Sequence, residues 1–406
     1  MSESVIQQVV SNGLCTGCGL CAAVCEPGKV VMRLSSAGYL RPYSDTPLAA
    51  EENARVAQVC PGVRVAHDNN APDAAPQHPI WGPLISCQTG YANDQPMRRL
   101  GSSGGVVSAL ALYLVHSGEV DFIVQNAAPQ DDPIGNRIQV SHSREEILAA
   151  AGSRYAPSAP LATMAQLLER GQRFAFVGKP CDVAALRALA RQDPRVDRQI
   201  PYMLSFMCAG VPSRRGTEAV IRRLGMSNAP LRSFRYRGDG WPGKARAVGE
   251  DGRSAEMDYA TSWGEILNRH LQFRCKICPD GTGEFADVVC ADAWYGEGGY
   301  PSFEERDGRS LVLGRSQRGQ QLLAAAQAAA AITLEPLAVA EIAKMQPYQV
   351  MRKKVVLGRV LATRLALGRA PSYRNLGLVR ASLSARPTMW LRNAIGTYKR
   401  AKGEIA

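Results

Sequence analysis

The chain lacks the features that mark membrane-spanning or exported proteins. No uninterrupted apolar run reaches the roughly 18 residues a spanning helix requires. The amino terminus, MSESVIQQVVSNGLC, has no basic n-region, no long apolar stretch and no small-residue cleavage site. Together these absences predict a cytoplasmic protein. Histidine is scarce, with five in 406 residues, and none sits in a recognisable acid–base motif; His270 reads as a structural residue. There is no Walker A loop, no G-x-G-x-x-G fingerprint and no repeat of solenoid length.

Cysteine, by contrast, is plentiful. Eleven cysteines in a reducing compartment do not form a disulfide framework, and an odd number would leave one unpaired. Metal or cluster ligation explains them better.

Hydrophobic residues at 46% and charged residues at 21% are ordinary for a folded chain, and 406 residues imply two or three structural units. The net charge of +12 is unevenly placed. Residues 351–406 carry thirteen Lys or Arg against the single acid Glu404, while the other 35 basic and 35 acidic residues cancel.

Composition divides the chain into a cysteine-rich head at 1–65, a polar, proline-bearing linker at 66–80, an α/β body at 81–340 and a basic tail at 341–406. In the body, GSSGGVVSALALYLVHSGEVDFIV reads as glycine-rich loop, helix, turn and buried strand. RFAFVGKPCDVAALRALA reads as strand, tight turn and helix, and YMLSFMCAGVPSRRGTEAVIRRLG repeats the scheme with Ser213 as N-cap. QLLAAAQAAAAI supplies a late helix. The tail reads as mostly helical, with arginines at 359, 364, 369 and 374, a spacing of five that wraps charge around a helix.

Cys15, Cys18, Cys21 and Cys25 lie in CTGCGLCAAVC, the C-x2-C-x2-C-x3-C spacing of bacterial ferredoxins. Two-residue spacers let a tight loop bring three soft thiolates to one face of a cubane. In two-cluster ferredoxins the fourth cysteine of such a run serves the other cluster, and a distant Cys-Pro completes the first. Cys60-Pro61 is such a pair, which assigns Cys15, Cys18, Cys21 and Cys60 to one [4Fe-4S] cluster with Cys25 as the alternative ligand. A zinc ribbon would use two separated knuckles rather than three cysteines in immediate succession.

A second set is scattered. Cys275 and Cys278 form a CxxC, which alone also suits a zinc knuckle or a redox pair. Cys181 follows a predicted strand at the start of a helix, and Cys208 ends another strand. In an open parallel sheet the strand carboxyl ends share one edge, so these two thiols can meet there and the CxxC loop can close a second four-sulfur site. Cys87 and Cys290 read as structural. The loop Gly101-Ser102-Ser103-Gly104-Gly105 opens a helix and offers N–H groups and hydroxyls to a phosphate, although by itself such a turn is more often just a turn with a cap.

The ferredoxin-like start, GSSGG, GSRYAPS at 152–158, GKPCDVAALR at 178–187, FMCAGVPS at 206–213 and CKICPD with ADVVCADAW together resemble the family of coenzyme F420 hydrogenase/dehydrogenase beta subunits, over nearly all of residues 10–300 and in order. The resemblance implies an FAD-containing α/β domain with iron–sulfur clusters, as in relatives that reduce a deazaflavin coenzyme and in ferredoxin-dependent reductases of chlorophyll derivatives. It implies Cys181, Cys208, Cys275 and Cys278 as ligands of the second cluster, and Ser102, Ser103, Gly104, Gly105, Arg154, Tyr155 and Lys179 near the flavin. Where the family often has Gly-Asp before an aromatic residue, this chain has Ala291-Asp292. The basic tail and RYRGDGWPG at 235–243 look more like the family's bacterial branch, which includes members beside polysaccharide-biosynthesis enzymes.

The expectation is therefore an oxidoreductase with two [4Fe-4S] clusters and FAD, moving electrons between ferredoxin or another low-potential carrier and an organic substrate. The alternative is an electron-transfer subunit with no substrate site of its own. The tail reads either as a solvated extension or as a docking element for an acidic ferredoxin or an anionic membrane surface. Nucleic acid is not an expected partner, since no binding module accompanies the charge.

Overall fold

A computed structural model describes residues 3–68, 75–228, 230–296 and 301–404. Its centre is an eight-stranded mixed sheet built from β1 (Ser86–Ala92), β2 (Phe122–Ala127), β3 (Arg137–Ser141), β4 (Phe174–Gly178), β5 (Tyr202–Phe206), β6 (Val288–Asp292), β7 (Ser310–Gly314) and β8 (Ile332–Pro336). The spatial order is β8-β1-β7-β6-β5-β4-β2-β3. In this sheet only the pairings β6·β5, β5·β4 and β4·β2 are parallel; the outer pairings are antiparallel. The sheet is thus mixed, with the expected parallel character confined to its middle.

These central strands are apolar runs buried on both faces, as parallel strands covered by helices must be. The pleat sends alternate residues to opposite sides. Phe122, Val124, Phe174 and Phe176 pack on one face with Val183 and Leu186 of helix Pro180–Ala190. Ile123, Ala175, Val177 and Leu204 pack on the other with Leu110 and Leu114 of helix Val106–His116 and Leu322 and Leu323 of helix Gln317–Ala328. Truncating Phe176, which is fully buried, to alanine would cost about 3–5 kcal/mol.

A smaller unit stands beside the sheet. Leu231–Arg235, Ala245–Gly249 and Ser254–Met257 form an antiparallel three-stranded sheet that packs Phe234 and Ala247 against Val220 and Ile221 of helix Arg214–Arg223. Ser213 occupies that helix's N-cap in extended conformation but makes no side-chain capping bond.

The head is sewn into the body. Leu161 donates to the Cys18 carbonyl at 3.0 Å, and strand Arg64–Ala66 pairs in parallel with Ser372–Arg374 from the tail. The described ends of the expected linker are equally tied: His67 bonds Glu284 at 3.2 Å and stacks on Phe285, and Gln77–His78 pairs with Gly82–Pro83. Its middle, 69–74, lies outside the described residues.

The tail is helical over Pro347–Leu367, Leu378–Leu383 and Pro387–Glu404. The arginine spacing does not act on one helix. Helix Pro347–Leu367 ends at Gly368, whose φ of 71° stops it, and Arg374 belongs to a strand. Nor is this region a solvated extension, because Arg352 and Lys353 are buried against the body.

Candidate redox centre

Ser4 caps helix Val5–Ser11 through a capping box with Gln7, which aims the following loop, 12–19, across the head. Gly19 (φ 86°) turns that loop into helix Leu20–Val24, and a Cβ there would lie 2.9 Å from the Ala162 nitrogen, so only glycine lets the loop approach the body. Helix Ala50–Val59 returns to place Cys60 at its C-cap. Cys15, Cys18, Cys21 and Cys60 then line one small, mainly apolar cavity with Ile6, Val9 and Leu20. Cys25 does not line that cavity; it packs with Ile6, Val30, Leu48 and Val56 in a cluster that Cys21 and Cys60 also touch.

The four thiols feel one another. Burial first, then the charges of Cys18, Cys15 and Cys60, push Cys21 well above the ordinary thiol value. Burial with Cys18 and Cys15 pushes Cys60 up to about 12. Cys25, raised to about 11 by burial, responds next to Glu52 rather than to thiols.

The second group forms at the carboxyl ends of β4 and β5, adjacent parallel strands in which Val177 opposes Leu204 and Gly178 opposes Ser205. Cys181 lies in the first turn of helix Pro180–Ala190, and Cys208 follows β5 with its N–H on the Gly281 carbonyl at 2.8 Å. Short helix Phe273–Lys276 brings Cys275 and Cys278 to them. Cys208 is pushed up to about 12 by burial, then by Cys275, with Cys278 adding to it. Cys181 is raised by burial and Asp182, and further by Cys208 and Cys278.

Sulfurs in both groups receive N–H donors. Gly17 points its N–H at Cys15 (3.4 Å), Gly62 and Val63 theirs at Cys60, and Val211 at Cys275 (3.3 Å), where Gln272 Nε2 adds a second donor at 3.4 Å. Donors aimed at sulfur favour thiolate and set cluster potentials. Cys290, in β6, is pushed up to about 12 by burial alone, the signature of an inert core cysteine. Cys87, also buried, is likewise raised to about 12 by burial. Among the described residues no three His, Cys, Asp or Glu side chains converge tightly enough for a single metal ion.

The two groups are neighbours. Gln272 Nε2 donates to the Thr16 carbonyl at 3.2 Å as well as to Cys275. Arg274, fully buried, donates to the Pro61 carbonyl at 2.9 Å, bonds Cys278 and acts on Cys15. Lys179, expected near the flavin, is placed here: burial opposes its charge, but Asp182 at 2.8 Å holds it protonated, with Cys181 and Cys18 adding to the effect. Its Nζ also donates to Ser158.

Helix Pro347–Leu367 closes the second group from outside. The Arg352 guanidinium donates to the carbonyls of Cys278 (3.1 Å), Cys208 (2.9 Å) and Cys275 (2.5 Å). Gln349 adds a bond to the Cys208 carbonyl at 3.2 Å, and Arg359 one to the Lys276 carbonyl at 2.9 Å. The sequence reading missed these residues. Their signal was the spacing of Gln349, Arg352, Lys353 and Val356, one face of a helix.

The glycine loop and its partners gather at the other side of β6. Ser103 Oγ donates among Ala291 O, Arg309 O and Ser310 Oγ (3.0–3.1 Å), the Gly104 N–H is taken by Ser310, and Ser102 accepts from the Ser153 N–H. Gly105 (φ 74°) turns into the helix. Arg154 spends its donors on Asn136, Phe234, Pro133 and Gly135, and Tyr155 packs on Tyr236 and Trp263. These predicted flavin residues are therefore brought together, but Ser103 and Arg154 are engaged in protein bonds.

A groove of about 440 Å³ opens beside this scaffold, lined by Arg99, Arg235, Lys244 and Arg246 with Asp239, Glu256 and Glu305. Gly238 also lines it and lies against the Leu100 carbonyl. Next to it, Arg237 makes a bidentate pair with Asp292 (both 2.9 Å), Trp241 bonds the same carboxylate at 2.7 Å, and Trp241 stacks on Trp294 at 4.8 Å. Gln346 donates to the Asp292 carbonyl at 2.7 Å, so this pair and the second thiol group share the start of one helix.

Fold and site define an α/β protein in which two neighbouring groups of thiols are tied together by Gln272, Arg274 and Lys179, an arrangement belonging to electron-transferring oxidoreductases. The chain belongs to the family of coenzyme F420 hydrogenase/dehydrogenase beta subunits: the model of the family's N-terminal part matches residues 87–166 and that of its C-terminal part residues 171–340. It is 24% identical over 377 residues to coenzyme F420-dependent sulfite reductase of Methanocaldococcus jannaschii, covering 87% of this chain and 52% of that protein. It is 25% identical to an F(420)H(2) dehydrogenase subunit of Methanosarcina mazei, covering 50% and 55%, and 23% identical to the chloroplastic 7-hydroxymethyl chlorophyll a reductase of rice, Oryza sativa, covering 54% and 45%. The chain thus spans about half the length of these relatives. A chain in the solved F420-reducing [NiFe] hydrogenase complex of Methanosarcina barkeri shares the fold with a TM-score of 0.56 and 20% identity, over 73% of this chain and 98% of that one.

Proposed function

We propose that the chain is an iron–sulfur flavoprotein oxidoreductase that passes electrons from a ferredoxin-like carrier through two [4Fe-4S] clusters to FAD, and on to an organic substrate. The observation that carries this reading is the adjacency of two four-thiol groups joined by Gln272, Arg274 and Lys179. Cys15, Cys18, Cys21 and Cys60 would hold the first cluster, and Cys181, Cys208, Cys275 and Cys278 the second. The donor set fits: each group offers four soft thiols, with N–H groups aimed at sulfur.

For FAD the fit lies in the groove rather than in the loop hydroxyls. Arg235 and Arg246 would bind the diphosphate, flanked by Arg99 and Lys244, which are paired with Asp239 and Glu256. Bound flavin supplies the step from single electrons to hydride. The Arg237–Asp292 pair and the Trp241–Trp294 stack would orient the ring and keep water from it.

Anaerobic purification with iron, sulfide and flavin analysis and electron paramagnetic resonance tests this. About eight irons and one flavin per chain are expected; zinc in place of iron overturns it. The likeness to a chain of a hydrogenase complex supports a second reading, a relay subunit serving a partner enzyme. A relay would hold the same cofactors but turn over no substrate alone with a chemical reductant.

A further inference from the structure

The last three helices carry a surface that electron transfer leaves unused. Of the large apolar side chains exposed among the described residues, nine fall between 348 and 398 and four elsewhere. Leu361 and Leu365 stand one turn apart on helix Pro347–Leu367, and Leu391, Ile395 and Tyr398 follow i, i+4, i+7 spacing on helix Pro387–Glu404. Leu365 is 79% exposed and Leu383 82%.

These side chains share one side of the molecule. The two long helices run parallel, since Gly358 lies against the Trp390 ring, Arg359 bonds Asn393, and Ala366 and Ala401 share a buried cluster. At about 100° per residue, the Leu361/Leu365 stripe and the Leu391/Ile395/Tyr398 stripe emerge on the same flank of the pair, away from the body. Leu383 joins them, its helix held by Ser382 on the Lys354 carbonyl at 3.3 Å.

The same segment holds thirteen cations against one acid. Arg352 and Lys353 turn inward, but eight of the thirteen are exposed. An apolar patch this concentrated marks a binding surface. A second copy is disfavoured, because like charge would face like charge. The leucines project from a convex helix pair, which suits a deformable phase better than a preformed protein pocket. Apolar side chains ringed by Arg and Lys are the composition of elements lying at the headgroup boundary of anionic lipid.

We propose that this face docks the protein on an anionic lipid bilayer, with Leu365, Leu383, Leu391 and Ile395 below the phosphate plane and the surrounding cations on the headgroups. No described helix is long and apolar enough to cross a membrane, so the contact is peripheral. The test is flotation of the full chain with vesicles of phosphatidylcholine alone or mixed with phosphatidylglycerol. Partition at low salt should be at least tenfold stronger on the anionic vesicles and fall as salt rises. It should drop about tenfold in L365Q/L391Q/I395Q and likewise in R392Q/K399Q/K402Q, with melting temperature and iron content unchanged. Equal partition on both vesicle types, no partition at low salt, or unaltered partition of the folded variants overturns the proposal; so does retention on an acidic ferredoxin alone. Iron and flavin content report separately on the redox reading.

Discussion

Arg352 places a buried positive charge over three carbonyls that belong to the same thiol group. Replacing it with glutamine would strand at least two of those carbonyls, a loss of about 2–4 kcal/mol by the usual cost of unsatisfied buried groups. Removing the positive charge also disfavours the more negative, reduced state of a nearby cluster. R352Q should therefore lower that cluster's midpoint potential, by roughly 60 mV if the charge is worth about 1.4 kcal/mol there. R352K should restore part of the potential without the carbonyl bonds. Redox titration followed by electron paramagnetic resonance, with a urea melt beside it, separates the two effects. For the first group, C60S should cut iron from about eight to about four per chain, whereas C25S should leave it unchanged because Cys25 is absent from the lining of the shared cavity. Equal loss in both variants would reverse the assignment.

At the scale of the element, helix Pro347–Leu367 also anchors the segment that follows the CxxC. Lys353 is buried, bonds the Pro279 carbonyl and pairs with Glu284, which His67 contacts from the start of the linker. Burial alone would raise the Glu284 carboxyl, but Lys353 and His67 hold it down at about 2, against an ordinary value of 4.5. A depressed carboxylate contributes stability above its unfolded pKa and loses it as pH falls toward the folded one. Stability should thus decline between about pH 4.5 and 2, and E284Q should flatten that decline while costing about 3–5 kcal/mol at neutral pH, since Lys353 is left buried and unpaired. Urea midpoints across pH check both. The head's cysteine loop, the strand–helix units around Cys181 and Cys208, and the late alanine-rich helix were legible in sequence, because spacing and apolar runs act locally. The inward face of this helix was not. Composition shows how many charges a segment carries but not which of them meet a carbonyl or a carboxylate from 70 residues away. The antiparallel pairings among β6, β7, β1 and β8 that convert the sheet to a mixed one were hidden for the same reason: register between distant segments has no local signature.

Across the whole molecule the contacts form an ordered series. The first thiol group reaches the second through Gln272 and Arg274, and the second reaches Asp292 through the shared start of helix Pro347–Leu367. Arg237 then connects Asp292 to the groove wall at Gly238. On the proposed reading such a series would make the first group an entry point and the groove an exit, so the two ends should fail differently. In C18S, flavin reduction by a protein carrier should slow by a hundredfold or more, while flavin reduction by a small chemical donor that reaches the groove directly should stay near wild type. In R235Q/R246Q the reverse should hold: iron content and carrier oxidation at the first cluster persist, but flavin is lost on gel filtration because the proposed diphosphate site loses the two groove cations that are not in an ion pair there. Stopped-flow absorbance at the flavin and cluster bands reads both. Equal slowing of the two reductants in C18S would mean that electrons enter at the second group, and that the order read from the contacts is wrong.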